Sequence, residues 1–318
     1  MMTVQETAAL LRQQDHILIL THRRPDGDTI GCAAGLCAAL RQLGKEAFVL
    51  FNSEATATNR VYAEPYWAPE DFAPDFVVSV DVAARNMFFL AAEAYQDRVD
   101  LAVDHHPSQE FFAKETCLDA SRAACGEILY EICRELGPLT QEIALPLYAA
   151  VATDTGCFVY ANTTANTHAV AAALMETGID YFAVNKRHFR TKSRKRLALE
   201  AELLGHMEFF HEGRGVFMSL PLSAMEEVGA SESDAEDLSA LAGLVEGVDC
   251  GALLREIDRG VWKLSLRTDV NGRVNATEAC RLLGGGGHAM AAGATVAGTL
   301  PEVKAKVLAA IDAVRKDR

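Results

Sequence analysis

Short apolar runs alternate with helical patterns through the first half of the chain. Runs of this kind predict buried strands, and the stretches rich in alanine and leucine between them predict helices. The predicted strands are 16–21, 46–51, 76–81 and 99–104, and the predicted helices are 29–44, 122–136 and 140–152. Because strands that alternate with helices usually build a parallel sheet, the pattern predicts an α/β fold with helices on both faces of that sheet.

The second half begins with a helical pattern over 165–204, which carries the basic run RTKSRKR at 190–196. This run is either a solvated helix face or a positive wall that faces a cleft. Strand and helix patterns then alternate again, which predicts a smaller α/β domain. The predicted organisation is a first domain at 1–187, a helical connector at 188–205 and a second domain at 206–318, with strands at 216–220, 251–258 and 261–267 and a closing helix at 301–315.

Length and composition favour an ordinary globular protein. A chain of 318 residues, half of them hydrophobic, is long enough for two cores. No apolar run approaches the roughly 18 residues that span a bilayer, and the first residues do not resemble a secretory signal, so we expect a cytoplasmic protein without membrane contact. The eight cysteines form no C-x-x-C pair, and we expect reduced thiols rather than disulfides or a zinc knuckle.

The net charge of −14 limits the kinds of anionic substrate that the chain can bind. Proteins that hold long nucleic acids without regard to sequence neutralise many phosphates with lysine and arginine, which this acidic chain does not favour. A short or small anionic substrate is compatible with the charge, provided that positive charge is placed locally. A bound metal would supply that charge.

Acidic and histidine side chains follow three of the predicted strands. They are His22, Asp26 and Asp28 after the first strand, Asp81 at the end of 76–81, and Asp104, His105 and His106 at the end of 99–104. Because the carboxyl ends of parallel strands share one edge of a sheet, we expect these groups to lie together, with Asp154 completing the set. One such residue alone is more often a helix cap or a hydrogen-bonded structural group, but their joint placement favours a metal site.

Crowded carboxylates repel one another and take up protons unless cations neutralise them. Oxygen and imidazole ligands suit Mn²⁺, and Mg²⁺ less well, whereas the lack of thiolate ligands argues against structural zinc. We expect Pro25 and Gly27 to form a tight turn, so that Asp26 and Asp28 serve different ions. Asp81 is the candidate bridge between two divalent cations, and Asp104 is expected behind a histidine, holding its free N–H.

Four motifs resemble those of the DHH phosphoesterase superfamily: THRRPDGDTIG at 21–31, VVSVD at 77–81, the Asp104-His105-His106 triplet and VATDTGCF at 151–158. The resemblance implies a first metal held by His22, Asp26 and Asp81. It implies a second metal held by Asp28, Asp81, His105 and Asp154. It also implies catalytic roles for His106, which would contact phosphate or stabilise charge, and for Asp104.

The second half resembles the DHH-associated C-terminal domain through GGGGHAMAAG at 284–293, preceded by SLRT at 265–268. The resemblance implies substrate contacts from Arg267, Gly285, Gly286, Gly287 and His288. The segment DASRAACGEIL at 119–129 departs from the family pattern, which has a turn rich in serine and threonine there. Arg122 is the candidate that would replace those hydroxyls as a phosphate contact.

The order of the two halves is similar to that of the short oligoribonuclease and 3′-phosphoadenosine 5′-phosphate phosphatase group. The resemblance implies a two-metal phosphohydrolase that releases nucleoside monophosphates from very short oligoribonucleotides, dephosphorylates 3′-phosphoadenosine 5′-phosphate, or does both. The alternatives are a cyclic dinucleotide phosphodiesterase, a processive single-strand exonuclease and a non-catalytic nucleotide-sensing module. A homodimer is compatible with the sequence, which does not determine the oligomeric state.

Overall fold

The protein was analysed as a computed structural model that describes residues 1–235, 238–269 and 272–316. The chain forms two compact units, Met1–Thr191 and Lys192–Arg318. Each unit buries apolar clusters of its own. None of the helices in the described part of the chain is long and apolar enough to cross a membrane.

The first unit is built on a five-stranded sheet. Its strands are β1 (Ile17–Leu20), β2 (Ala47–Val49), β3 (Phe76–Val80), β4 (Leu101–Asp104) and β5 (Glu115–Leu118). The strand order is β2-β1-β3-β4-β5 and all pairs are parallel, which confirms the predicted parallel sheet. The order reverses between β1 and β3, and ligands of open α/β sheets bind in the crevice at such a point.

Helices cover one face of this sheet. They are α1 (Val4–Gln13), α2 (Gly27–Gln42), α3 (Ala57–Ala63), α4 (Cys125–Leu136), α5 (Gln141–Asp154), α6 (Ala165–Glu176) and α7 (Tyr181–Asn185), followed by a π-helical turn at Lys186–Arg190. Ile17 and Ile19 of β1 point into the core on this face, whereas Leu18 and Leu20 point into a separate cluster on the other.

That opposite face is covered by loops and 3-10 turns instead of the expected helices. The covering residues include Phe88, Phe89 and Ala92, which lie in and beside the turns Arg85–Met87 and Ala92–Tyr95. The chain moves from β3 to β4 in the opposite direction across the sheet from its path between β1 and β2. Because such connections are right-handed, the segment between β3 and β4 reaches the face opposite α2.

Helix α2 starts two residues earlier than the sequence predicts, and its first turn positions the site. Asp26 is the N-cap, and its Oδ1 accepts hydrogen bonds from the backbone N–H groups of Asp28 (2.9 Å) and Thr29 (3.2 Å). The expected tight turn at Pro25 and Gly27 is therefore a capped helix start, because an aspartate satisfies the free N–H groups of a first turn. At Gly31 a Cβ would lie 2.3 Å from the carbonyl oxygen of Pro146, so only glycine lets α2 and α5 pack this closely.

The second unit contains a six-stranded sheet of order β10-β11-β9-β8-β7-β6, in which only β7 and β8 pair in parallel within the described residues. Its strands are β6 (Glu208–Phe210), β7 (Gly215–Leu220), β8 (Cys250–Asp258), β9 (Val261–Thr268), β10 (Gly286–His288) and β11 (Ala291–Ala297). Its helices are α8 (Arg194–Gly205), α9 (Leu222–Glu227), α10 (Ala276–Leu282) and α11 (Leu300–Val314).

The two faces of this second sheet differ. Leu264 and Leu266 of β9 are buried in a core that includes residues of α10 and α11. Residues at alternate positions of β9 and β11 point to the opposite face, where Lys263 and Thr295 are exposed. Within the predicted connector 188–205, helix α8 buries Leu199 and Leu203 in the second unit.

Candidate metal centre

His22, Asp26 and Asp81 form the first group of facing ligand atoms. The Nε2 atom of His22 lies 3.6 Å from Asp26 Oδ1 and 3.7 Å from Asp81 Oδ2. These separations are longer than good hydrogen bonds, yet all three ligand atoms lie within 4.8 Å of one another. Atoms that converge without bonding directly are the arrangement expected around a shared ion, whose bonds to such ligands are about 2.0–2.2 Å long.

His105, Asp28 and Asp154 form the second group. The Nε2 atom of His105 lies 3.9 Å from Asp28 Oδ2, 3.7 Å from Asp154 Oδ2 and 3.4 Å from Asp81 Oδ1. Asp81 therefore faces one group with Oδ2 and the other with Oδ1. This is the position that a carboxylate bridging two ions would occupy.

Asp81 is buried at the end of β3 and is poorly compensated by its surroundings. It is 2% exposed, and its Oδ1 has no hydrogen-bond partner among the described residues. Burial, together with the charges of Asp28 and Asp26, raises the pKa of Asp81 well above its usual range. A buried carboxylate with an unpaired oxygen is costly unless a cation neutralises it, so the donor set fits a pair of divalent cations.

Two backbone carbonyls orient the imidazoles. His22 Nδ1 lies 2.8 Å from the carbonyl oxygen of Arg23, and His105 Nδ1 lies 3.2 Å from that of Arg122. If each Nδ1 carries its proton and donates it there, each Nε2 presents a lone pair to the site, as metal-binding histidines commonly do. The sequence did not indicate these carbonyls, because every residue type carries one.

The start of helix α4 holds Asp28. The backbone N–H of Cys125 donates to Asp28 Oδ2 (2.8 Å), and that of Gly126 donates to Oδ1 (3.0 Å), which also accepts from the Cys32 thiol (3.2 Å). Burial, with the charge of Asp154 next, nevertheless raises the pKa of Asp28 to about 7. Carboxylates held this close need added positive charge in order to remain ionised near neutrality.

Asp104 lies behind His106 and is fully buried. Its Oδ1 lies 2.8 Å from His106 Nδ1 and accepts from the backbone N–H of His105 (2.8 Å), while its Oδ2 accepts from Gln109 Nε2 (2.7 Å). The carboxylate thus fixes the orientation of His106, whose side chain is 36% exposed. Gln109, which the sequence did not single out, completes the hydrogen bonding of this carboxylate.

Comparisons with known proteins agree with these motifs. Residues 16–151 match the DHH family, N-terminal domain, and residues 226–317 match the DHHA1 domain. A Thermus thermophilus protein named bifunctional oligoribonuclease and PAP phosphatase NrnA is 34% identical over 298 residues, which cover 93% of this chain and 89% of that protein. The chain belongs to the DHH phosphoesterase family.

Further relatives extend over both units of this DHH protein. A Bacillus subtilis protein with the same name is 24% identical and is matched over 89% of this chain and 90% of its own length. The crystal structure of an exopolyphosphatase-related protein from Bacteroides fragilis aligns with a TM-score of 0.84 at 22% identity, covering 98% of this chain and 95% of that one. The whole fold, including the second unit, is therefore shared with a solved structure.

In the DHHA1 half, Arg267 and His288 lie in one row across the sheet. Arg267 of β9 pairs with Ala291 of β11, and Ala291 pairs with His288 of β10. Residues opposite one another on neighbouring strands point to the same face, so both side chains lie on the face that carries Lys263, with only an alanine between them. His288 is exposed and Arg267 is half-buried.

The glycine run has a packing role that the sequence did not reveal. A Cβ at Gly285 would lie 2.1 Å from the carbonyl oxygen of Gly293, and one at Gly287 would lie 2.6 Å from that of Ala291. These two glycines let β10 approach β11. A Cβ would meet nothing within 4 Å at Gly286 or at Gly284, where a φ of 77° itself favours glycine. The absence of a side chain at position 286 is therefore not explained by packing and is compatible with an approaching ligand.

Arg122 is occupied by carboxylates of its own unit. Its Nε lies 2.8 Å from Asp119, and its Nη2 lies 2.7 Å from Glu131. The fully buried carboxylate of Glu127 lies 3.8 Å from Nη1. These carboxylates occupy N–H donors of the guanidinium and offset its positive charge. The structure therefore gives no support to the predicted contact between Arg122 and a phosphate.

Part of the basic run at 190–196 also has partners within its own unit. Lys192 Nζ and Arg196 Nε each lie 2.7 Å from the carboxylate of Glu200, and Lys195 donates to the carbonyl oxygen of Gly229. These contacts stabilise helix α8 and its surroundings. They favour the structural interpretation of the run for these three residues.

Proposed function

We propose that this DHH-family protein is a two-metal phosphohydrolase that acts on very short oligoribonucleotides, on 3′-phosphoadenosine 5′-phosphate, or on both. The observation that supports it most is the position of Asp81, whose two oxygens face two separate ligand groups. The relatives named for both activities support the substrate class. Mn²⁺ is the proposed cation, because its preference for mixed oxygen and imidazole ligands fits the donor set.

Six side chains would hold the cations. They are His22, Asp26 and Asp81 for the first, and Asp28, Asp81, His105 and Asp154 for the second. When bound, two divalent cations supply a water nucleophile at neutral pH and balance the charge of the phosphate. The protein keeps the ligand atoms in place beforehand, through the two carbonyls on the histidines and the start of helix α4 on Asp28.

His106 would act on the substrate rather than on a cation. Its Nδ1 is engaged by Asp104, so Nε2 on the far side of the ring is free to point toward a phosphate oxygen. A protonated His106 would donate a hydrogen bond to that oxygen and stabilise charge that develops on it. Asp104 would act through His106 by fixing its orientation.

The second unit would bind the nucleotide. Arg267 can form a forked pair of hydrogen bonds with a phosphate, and His288, on the same face, can form another. Gly286 leaves its backbone open to the ligand. The acidic net charge of −14 favours a short substrate over a long nucleic acid.

The test compares initial rates with Mn²⁺ on a dinucleotide, a five-nucleotide RNA, a cyclic dinucleotide and 3′-phosphoadenosine 5′-phosphate. We expect the dinucleotide or the bisphosphate nucleotide to be hydrolysed fastest, with no turnover after chelation of the metal. Faster hydrolysis of the cyclic dinucleotide would favour the phosphodiesterase alternative. Binding without hydrolysis of any substrate would favour a sensing module and overturn the proposal.

A further inference from the structure

The segment that follows Asp154 has an unusual backbone. The φ angles of Gly156, Cys157 and Phe158 are 56°, 57° and 68°. These are left-handed values that residues other than glycine seldom adopt. The turn is held by the backbone N–H of Cys157, which donates to the carbonyl oxygen of Ala152 (2.7 Å). Left-handed φ angles at consecutive residues cost conformational free energy, and they persist only when the surrounding structure enforces them. Such strained residues cluster at functional sites.

The ring of Phe158 anchors this turn. It stacks on His168, with ring centroids 5.2 Å apart, and lies 6.2 Å from the ring of Tyr148. The backbone N–H of Phe158 donates to Thr155 Oγ1 (3.2 Å). With this residue directed inward, the chain turns the next two side chains, Val159 and Tyr160, outward.

Val159 is 80% exposed and Tyr160 is 59% exposed, so an apolar surface follows the proposed ligand Asp154 closely along the chain. The backbone N–H groups of both residues donate to the carbonyl oxygen of Thr155 (3.0 Å each), the residue after Asp154. Asn162 Nδ2 donates to the carbonyl oxygen of Asp154 (3.1 Å). The exposed pair is therefore tied to the residue that follows the proposed metal ligand Asp154, and Asn162 ties the same turn to Asp154 itself.

The ring of Tyr160 rests on the backbone of Gly156. A Cβ at Gly156 would lie 2.5 to 2.7 Å from three atoms of this ring, so only glycine permits the contact. One side of the ring is therefore covered by backbone, while much of the side chain stays open to solvent. The Tyr160 hydroxyl has no hydrogen-bond partner among the residues that the structure describes.

An aromatic ring backed by protein on one side and open on the other can stack on a nucleobase. Stacking of this kind is the main way in which proteins hold single-stranded bases, and it tolerates different bases because each has a π-face. An inorganic phosphate chain has no π-face and would gain no stacking contact from such a ring. The exposed ring thus matches a substrate that carries a base next to the phosphate.

We propose that Tyr160 is a substrate-positioning residue that stacks on a nucleobase adjacent to the phosphate at the metal centre. This inference rests on the proposed function and deepens it, because it assigns to the first unit a contact with the base. Tyr160 would thereby favour nucleotides over phosphate esters without a base.

The experiment compares wild type, Tyr160→Ala and Tyr160→Phe on diadenylate and on the two forms of this dinucleotide that lack one base each. We expect Tyr160→Ala to lower kcat/KM for diadenylate by about 5- to 150-fold, since removal of a stacked aromatic ring costs about that much in binding. Tyr160→Phe should retain most of the activity, because the ring is kept. On the dinucleotide that lacks the stacked base, wild type and Tyr160→Ala should be equal.

Phe209→Ala is the matched control, since Phe209 is another exposed aromatic residue and lies on the edge strand β6. It should behave like wild type. An equal loss in Tyr160→Ala on all three dinucleotides would overturn the stacking role, and so would unchanged activity on diadenylate. If the wild type hydrolyses neither diadenylate nor 3′-phosphoadenosine 5′-phosphate, the proposed function fails, and the stacking proposal fails with it.

Discussion

Asp81 combines backbone strain with burial. Its φ of 59° lies in the left-handed region, which costs an L-residue roughly 1–2 kcal/mol, although aspartate tolerates it better than most. The strain turns the carboxylate at the end of β3 so that its oxygens face opposite ligand groups. Without a cation, the site therefore combines backbone strain at Asp81 with repulsion between carboxylates. Strain of this kind is typical of residues whose position serves function rather than stability.

His188 gives a pH-dependent prediction away from the metal centre. Its Nε2 lies 2.9 Å from the Tyr62 hydroxyl, and the two rings stack at 5.8 Å. Burial, with the charge of Arg187 next, lowers the pKa of His188 to about 4. In the unfolded chain the pKa of His188 is near 6.5, so between pH 6.5 and 4 the unfolded protein binds more protons than the folded one. The free energy of unfolding therefore falls as the pH drops through this window.

The expected result is that His188→Gln loses less stability than wild type between pH 7 and pH 5. The measurement is the free energy of unfolding in urea at each pH. His206→Gln serves as control, since its side chain is 69% exposed, and it should not reproduce the effect expected of His188→Gln. Parallel curves for wild type and His188→Gln would show that His188 is not held neutral by its surroundings.

At the scale of elements, strand ends and strand rows carry the candidate site. The ends of β1, β3 and β4 carry the acids and histidines, and the paired row across β9, β11 and β10 carries Arg267 and His288.

We expect Arg267→Ala or His288→Ala to raise KM for a dinucleotide by roughly 10- to 150-fold, the equivalent of losing one charged hydrogen bond worth about 1.5–3 kcal/mol. Metal content should not change, and hydrolysis of bis-p-nitrophenyl phosphate should remain close to wild type.

Lys263→Ala is the matched control for these two variants, because Lys263 is a basic residue on the same strand and face as Arg267. It should leave KM for the dinucleotide near the wild-type value. Should Arg267→Ala and His288→Ala remove activity on both substrates equally while the protein stays folded, these residues would belong to the catalytic centre instead.

The elements that the sequence predicted best are those with unbroken apolar runs. Strands β1, β3 and β4 were predicted because both of their faces are buried, and their ends located the acids and histidines. Strand β5 was missed because its four residues, ETCL, include an exposed glutamate and show no apolar run. Helix α2 was predicted two residues late, because Asp26 and Asp28 were interpreted as turn residues rather than as a cap and a first turn.

At the scale of the whole molecule, the order of the strands decides which distant residues meet. Sequence motifs identified the candidate ligands, but the carbonyls of Arg23 and Arg122 became visible only in the structure, because backbone groups leave no trace in composition. Arg122 shows the converse, since its charge suggested a phosphate contact and its neighbours engage it with carboxylates. The domain limits at 187 and 205 and the roles of the site residues stay predictions.

All six proposed metal ligands lie in the first unit, on segments separated by up to 132 positions, 154 minus 22. The central claim is that these segments converge to hold two cations with Asp81 between them. Removal of a shared ligand should then weaken the binding of both cations at once, whereas removal of a carboxylate elsewhere on the surface should weaken the binding of neither. Asp75, an exposed residue just before β3, provides that control.

The most direct measurement is the manganese bound per chain after equilibration in dilute Mn²⁺, compared among wild type, Asp81→Ala, Asp81→Gly and Asp75→Ala. Asp81→Gly removes the carboxylate without strain at a positive φ, and circular dichroism reports whether each variant is folded. The account predicts about two manganese ions for wild type and Asp75→Ala, and far fewer than two for both Asp81 variants, because one carboxylate serves both ions. Two full equivalents retained by a folded Asp81 variant, or none bound by wild type, would contradict it.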